Sequence, residues 1–484
     1  MMHLARLALI AFTVSIAPGI LFPDYAEALP AQRAADGKVS SITKDGVTWR
    51  FSEPVEAGQF VNGDYYVVGP VTVTSISPEP QKTSPYLNGS VLNLPTLSGH
   101  SGFDSRLNDG EDQSWWFDAS ARVYAPLSLK GGDSLVSSIS VKTPHTLPSP
   151  MRMGDRSISP VGSFSILTVL AAAPAATAFR PSYCDREQSL FYESAMMRNL
   201  LPSLPRSRLA HRPPALAEFE TMFRRPWVDL SPFNFDAPAE YMPQYGAHVA
   251  TSVGFATLLL TLDFPVREKT NLTNYLVQYG IDLFGCVKAG YGWPALGGHR
   301  SGRKAPIIFA GMLLNNSEMK HVSDLYPNRF GEDMQTVYVD KIPGGFTQGW
   351  QGAKAIYGGH YGVMDNGQPV SPGINGPYEQ LQPREWPGQL GEGYRRCCTS
   401  MSWIGEALAM RLLGAKEYWN HDAFFDYVER WMTEDDTQSN KIAASQTGAP
   451  VAADWSAQRQ TRAYFNGQVS APNFVDDMWA AFRK

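Results

Sequence analysis

Tyrosine, histidine and arginine recur together in three short stretches of the second half of the chain, and their shared chemistry is proton transfer beside an anion. The first stretch is EYMPQYGAHVA, in which Tyr245 sits roughly one helical turn before His248, on a similar face near a helix start. The second is Gly290–Gly311, GYGWPALGGHRSGRKAPIIFAG, a glycine-rich loop that carries Tyr291, Trp293, His299, Arg300, Arg303 and Lys304 straight into an apolar helix. The third holds His360 and Tyr361 within YGGHYGVMDNG, then Tyr394, Arg395 and Arg396 just ahead of Cys397. A free phenol, with a pKa of ~10, is a poor base at neutral pH, and adjacent cations favour its ionised form. Histidine is poised near neutrality without such help. The set suits β-elimination on a uronate: neutralise the carboxylate, remove the acidified C5 proton and protonate the leaving oxygen. In that scheme His299 and Arg303 neutralise the carboxylate, Tyr361 or Tyr394 is the base or acid, and His248 or His360 is its partner. Tyr245, Tyr291, Trp293, Arg300, Lys304 and Arg395 then hold substrate, with sugar faces stacking on Trp293, Trp350 or Trp386. A lone histidine on an apolar helix, such as His248, equally fits a plain core position.

Local charge supports an anionic ligand. Between Asp282 and Glu318 there is no carboxylate, while Lys288, His299, Arg300, Arg303 and Lys304 all fall in that interval. The whole chain has 46 acidic and 41 basic residues, a net charge of −5, so it has no general basic footprint and nucleic acid is not an expected partner. Hydrolysis by paired carboxylates is the competing chemistry, with Asp365, Glu379, Glu385 and Glu392 as candidates that show no signature spacing. Asp422 and Asp426 read as structural, Asp422 complementing a helix start and Asp426 meeting Arg430 one turn later. No GxSxG, HExxH, CxxC, phosphate loop or dinucleotide fingerprint is present, so no cofactor or metal is expected.

The elements that must carry these residues change character along the 484 residues. MMHLARLALIAFTVSIAPGILFPDYAEA reads as a secretory signal over residues 1–28, cut near Ala28, which predicts a secreted or periplasmic protein with no membrane span. Residues 40–175 read as an antiparallel β-sandwich. The strands are VTWRF, YYVVGPVTVTSI, a hairpin ARVYAPLSL/SLVSSISV around Gly131-Gly132-Asp133, and SFSILTVL. Trp49, Tyr65, Tyr66, Trp115 and Trp116 are either its core or a sugar-binding face. From residue 180 to 484 the period becomes helical in Arg186–Leu201, Tyr245–Leu262, Asn271–Gly290, Arg303–Leu314, Ser400–Gly414 and His421–Met432. Long loops, Val337–Thr399 above all, predict a layered or toroidal α/α array rather than a simple bundle. Of the four cysteines, adjacent Cys397 and Cys398 would be strained as a bridge, so one of them is expected to pair with Cys184 or Cys286.

The segments YGWPALGGHRSGRKAPIIFAG, GGHYG and YRRCCTSMSWIGEALAMRLLG in an exported chain resemble helical-toroid polysaccharide lyases of the alginate and glucuronan kind. The likeness is architectural and covers Cys184–Lys484. It implies an α/α catalytic domain acting on an acidic polysaccharide, with a glycoside hydrolase or a noncatalytic glycan binder as alternatives. The Asn-Asn-His-x-x-Trp pattern of one alginate lyase family is absent, and the β-rich part precedes the helices, where toroidal lyases often carry theirs afterwards.

Overall fold

A computed structural model describes residues 37–96, 100–108, 117–146, 158–229, 241–243, 245–371, 376–435, 438, 471 and 473–483. The expected signal segment and Trp115 and Trp116 lie outside them. An N-terminal β-rich region is followed by a helical C-terminal part.

Alternating burial forms the strands. In β2 (Val47–Val55), Val47, Trp49 and Phe51 face inward while Arg50 and Ser52 face water. β2 pairs antiparallel with β1 (Val39–Lys44) and β5 (Val71–Ser77), and β5 with β7 (Leu127–Leu129), which makes one four-stranded sheet. The second sheet runs β3 (Ala57–Gln59), β4 (Tyr65–Val68), β9 (Ile158–Leu170), β8 (Ser134–Thr146), β6 (Ser90–Leu92), and its β4–β9 pair is parallel. The two sheets share a core in which Val47, Trp49 and Val73 meet Leu135, Leu167 and Val169. The opposite faces of β8 and β9 send Val136, Val161, Phe164 and Ile166 into a larger core with the helices. β9 is buried on both faces, and the polar residues among its buried positions are the small Ser163, Ser165 and Thr168.

Two expectations change here. The run Tyr65–Ile76 is broken at Gly69-Pro70 into strands of different sheets. The expected hairpin around Gly131-Gly132-Asp133 is instead a crossing between sheets, since β7 pairs with β5 and β8 with β9 and β6. Trp49 is a core residue, fully buried, with its indole N–H bonded to Ser137 Oγ at 3.2 Å.

The helices are α1 (Leu216–Phe223), α2 (Gly246–Leu260), α3 (Val266–Lys288), α4 (Lys304–Leu313), the short turns α5 (Ser317–Lys320), α6 (Val322–Leu325) and α7 (Gly331–Met334), then α8 (Ile404–Leu412), α9 (Lys416–Trp419), α10 (Asp422–Thr433) and a last helix, Phe474–Phe482. Every residue of α2 is buried, as an apolar-all-round helix requires. It packs on α8 at a glycine contact: a Cβ on Gly254 would lie 2.9 Å from the Gly405 backbone. Among the described residues no helix is long and apolar enough to cross a membrane. The expected helix Arg186–Leu201 is an extended segment with two single turns, Glu193–Ala195 and Arg198–Leu200. Its backbone is drawn outward instead, Phe179 N–H bonding Phe191 O at 2.8 Å and Met197 N–H bonding Leu313 O at 2.7 Å.

The two regions are joined by a buried cation. Arg180, fully buried, donates to Asp64 at the start of β4 and to Asp282 of α3, each at 2.6 Å. Removing one member of such a group leaves buried charge uncompensated. Arg180→Met should therefore lower unfolding free energy by roughly 3–5 kcal/mol in denaturant titration; a loss below ~1 kcal/mol would show that the triad does not hold the junction.

Candidate functional site

Three loops converge because glycines let their backbones touch. Ala247 N–H, in the first turn of α2, bonds Gly298 O at 2.8 Å, and Gly297 N–H bonds His360 O at 2.7 Å. A Cβ on Gly298 would lie 2.1 Å from Cys398 O and 2.5 Å from the Tyr245 hydroxyl. A Cβ on Gly297, whose φ is +51°, would lie 2.6 Å from both His360 Cε1 and Tyr394 Cδ1. Gln335, buried just after α7, ties the loops by donating to Gly297 O at 3.0 Å, His360 O at 3.2 Å and Tyr357 Oη at 3.2 Å. Nothing in the local sequence marked Gln335; it reads as an ordinary polar residue until its amide is seen buried among carbonyls.

This backbone knot brings together residues that lie far apart in sequence. The His360 ring packs edge-on against Tyr394 at 4.6 Å between centroids and against Tyr361 at 4.8 Å. Tyr245 packs edge-on against His299 at 4.9 Å and His248 at 6.0 Å. The two groups meet, for Tyr245 interacts electrostatically with Tyr394, and His299 with His360. His299, Arg300, Tyr361 and Tyr394 are half-buried, whereas Tyr245, His248 and His360 are buried. Tyr394 sits between two π-helical turns, Gly388–Gly393 and Arg395–Thr399, an irregularity frequent at functional sites.

The histidines here are neutral. Burial pushes His248 down to about 4, and burial, then His360 and Arg300, push His299 down to about 3. Burial also lowers His360. Burial, with Tyr394 adding to it, raises the Tyr245 phenol although the Gly298 N–H opposes the shift. Tyr245 is thus held protonated, a donor rather than a base.

Three expected ligand cations serve the framework instead. Arg303 is fully buried and grips Asp229 at 2.7 and 3.0 Å, which makes it a core counter-ion rather than a group open to a ligand carboxylate. Lys304, also fully buried, pairs with Asp333 at 2.6 Å and lies over the Trp419 ring. Arg395 is buried against Glu392 at 2.9 Å and Glu379 at 3.0 Å. Three cations of the Asp282–Glu318 interval are met in space by acids from elsewhere: Arg303 by Asp229, Lys304 by Asp333, and Lys288 by Glu187 at 3.6 Å. Arg300 is the arginine of this stretch that remains half-buried.

Two of the three expected aromatic platforms, Trp293 and Trp386, are buried. Trp293 is buried and stacks on Phe330, with Tyr291 edge-on to it at 5.9 Å. Trp386 is buried beside Tyr378, while Trp350 is half-buried. The carboxylates of the hydrolytic reading are engaged as well. Glu379 accepts from Arg430 at 2.7 Å, and Glu392 from Arg396 at 2.6 Å and Tyr378 at 2.8 Å. Arg395 and Arg396 outweigh burial and hold Glu392 down to about 2, which removes it as a proton donor. Glu385 closes a capping turn on Gln382, and Asp365 accepts from Asn328 at 3.2 Å. Asp422 pairs with Lys416 at 3.0 Å, and Asp426 accepts from Tyr338 at 2.7 Å, not from Arg430. A separate groove of about 570 Å³ is lined by Asp324, Asp365, His421 and Asp422 and includes none of the ring cluster. No group of three or more His, Cys, Asp or Glu among the described residues is placed to hold a metal ion.

The expected cysteine pairing also differs. Cys398 is disulfide-bonded, but Cys184 and Cys286 are both free thiols, so neither is its partner. Comparison with protein-family models, curated proteins and solved structures finds no match.

Two outcomes test this geometry. Because His248 has a folded pKa below its unfolded value of ~6.5, unfolded chains bind the proton first as pH falls. Its contribution is complete above that value and is lost toward pH 4, by up to about 3 kcal/mol. Glu332, pushed up to about 7 by burial, works in the opposite sense, adding stability that fades as pH rises through that range. The His248→Gln variant should therefore show a flatter fall in stability between pH 6.5 and 4 than the parent, and parallel curves would contradict the buried neutral assignment. Gly298→Ala should give little folded protein at ambient temperature, read by near-ultraviolet circular dichroism, because the added methyl meets a carbonyl that cannot move alone.

Proposed function

We propose that this chain is an exported polysaccharide lyase that cleaves a uronate-containing glycan by β-elimination. The observation that carries the reading is the convergence of His299, His360, Tyr245 and Tyr394 from three separate loops, beside the half-buried Arg300. Arg300 takes over from Arg303 the neutralisation of the substrate carboxylate, the step that acidifies the C5 proton. Neutral His299 and His360 donate hydrogen bonds to the same carboxylate as its charge spreads toward the enolate, and an anion arriving opposite them favours their protonated forms. Tyr394, half-buried and edge-on to His360, is the group that takes the C5 proton, and the hydroxyl of Tyr245 or Tyr361 gives one to the leaving oxygen as the C4–O bond breaks. A toroid-like layering of the helices and a β-sandwich ahead of it belong to the same proposal. Its support is the all-buried α2 packed on α8 and α3, and the two sheets that share a core.

Hydrolysis is the weaker reading because Glu379 and Glu392 are bound up with Arg395, Arg396 and Arg430. On alginate or glucuronan, Tyr394→Phe should lower turnover by about 10²–10⁴-fold with an unchanged circular dichroism spectrum. Arg300→Ala should lower kcat/KM for the acidic glycan by ~10–100-fold, with a fall in kcat as well as a rise in KM, the loss of one charge-assisted contact that strengthens as the C5 proton leaves. Full activity in both Tyr394→Phe and His360→Gln would remove the cluster from the reaction.

A further inference from the structure

Cys184 and Cys286 face each other at the junction of the β-rich and helical regions, their sulfurs 2.9 Å apart and both side chains buried. That separation lies inside van der Waals contact and is about 0.9 Å longer than a disulfide bond. Other groups, not the sulfurs, set the approach. Ser182 Oγ donates to Asp282 O at 2.9 Å and accepts from Cys184 N–H at 3.2 Å. A Cβ on Gly285 would lie 2.2 Å from Ser182, so the segment is seated directly on α3. Arg180 clamps the same turn of α3 through Asp282 at 2.6 Å. The two thiols are thus held in register on either side by hydrogen bonds and an ion pair, across a sequence separation of 102 residues.

We propose that Cys184 and Cys286 form a disulfide that locks the junction, closing during folding by exchange with a low-molecular-weight disulfide such as oxidised glutathione. The thiolate of one cysteine attacks a glutathione sulfur, forming a mixed disulfide and releasing one glutathione thiolate. The second cysteine thiolate then attacks the protein sulfur of that mixed disulfide and expels the other. The two cysteine protons end on the two reduced glutathiones, and the two electrons lost by the cysteines reduce the glutathione disulfide. Exchange must precede burial. In the folded state burial, with Cys286 and Asp282 adding to it, raises the Cys184 thiol and suppresses its thiolate. The finished bond is correspondingly shielded from reductant. The proposal is independent of the lyase reading.

The test uses the full chain made in parallel in an oxidising and a reducing compartment, acid-quenched, unfolded and alkylated, then digested without reduction for mass spectrometry. The oxidised sample should yield the Cys184 and Cys286 peptides joined, two hydrogens lighter than their sum, and the reduced sample should yield both alkylated. The bridged form should melt about 5–10 °C above the reduced one, a difference absent from Cys184→Ala/Cys286→Ala. Alkylated Cys184 and Cys286 in an oxidised sample whose Cys398 remains bridged would overturn the proposal. So would either cysteine joined to a different partner. Peptide mapping of the parent decides the matter even where the double variant fails to fold.

Discussion

Glu379 and Glu392 lie buried among the guanidinium groups of Arg395, Arg396 and Arg430, and the loop that presents Tyr394 depends on that charge balance. Each carboxylate in isolation would be costly to bury, and each arginine likewise; together their forks match and the remaining acceptors are filled, Glu392 by Tyr378 and Glu379 by the Tyr357 N–H at 2.6 Å. Because Glu379 also reaches α10 through Arg430, the network fixes the long loop to a helix on one side and to the π-helical turns on the other. Arg303 with Asp229 does the same beneath the glycine-rich loop, between the start of α4 and the segment after α1. Cations that a local reading places at a ligand are thereby used to hold the backbone still.

Above this base the site is made by close backbone approach. Gly297 and Gly298 admit a carbonyl, a phenol and an imidazole at distances no side chain would allow. The result is a desolvated cluster in which burial keeps the histidines neutral. Arg300 is half-buried and acts electrostatically on His299 of this cluster.

Much of this was legible in the chain, and its failures have physical causes. Helical period marked α2, α3, α4, α8 and α10 because their buried faces follow the helix. It misled over Arg186–Leu201, where apolar residues reach separate partners and backbone bonds to Thr177, Phe179 and Leu313 replace the helix ladder. The ring residues His248, His299, His360, Tyr361 and Tyr394 were readable as chemistry by type. Their meeting was not readable, since it rests on carbonyl contacts and on Gln335. The roles of Arg303 and Lys304 are hidden in the sequence because their acids, Asp229 and Asp333, lie 74 and 29 residues away, whereas Arg395 has one acid, Glu392, three residues away and a second, Glu379, 16 residues back. Charge balance in a window of sequence says little about charge balance in a folded core.

The most direct measurement is to incubate the purified protein with a panel of uronate and neutral polysaccharides and follow ultraviolet absorbance of unsaturated ends alongside reducing ends. Elimination requires both signals to rise together, on acidic glycans and not on neutral ones. Reducing ends without absorbance would contradict the account and return the chemistry to carboxylates, and binding with neither signal across the panel would contradict catalysis altogether.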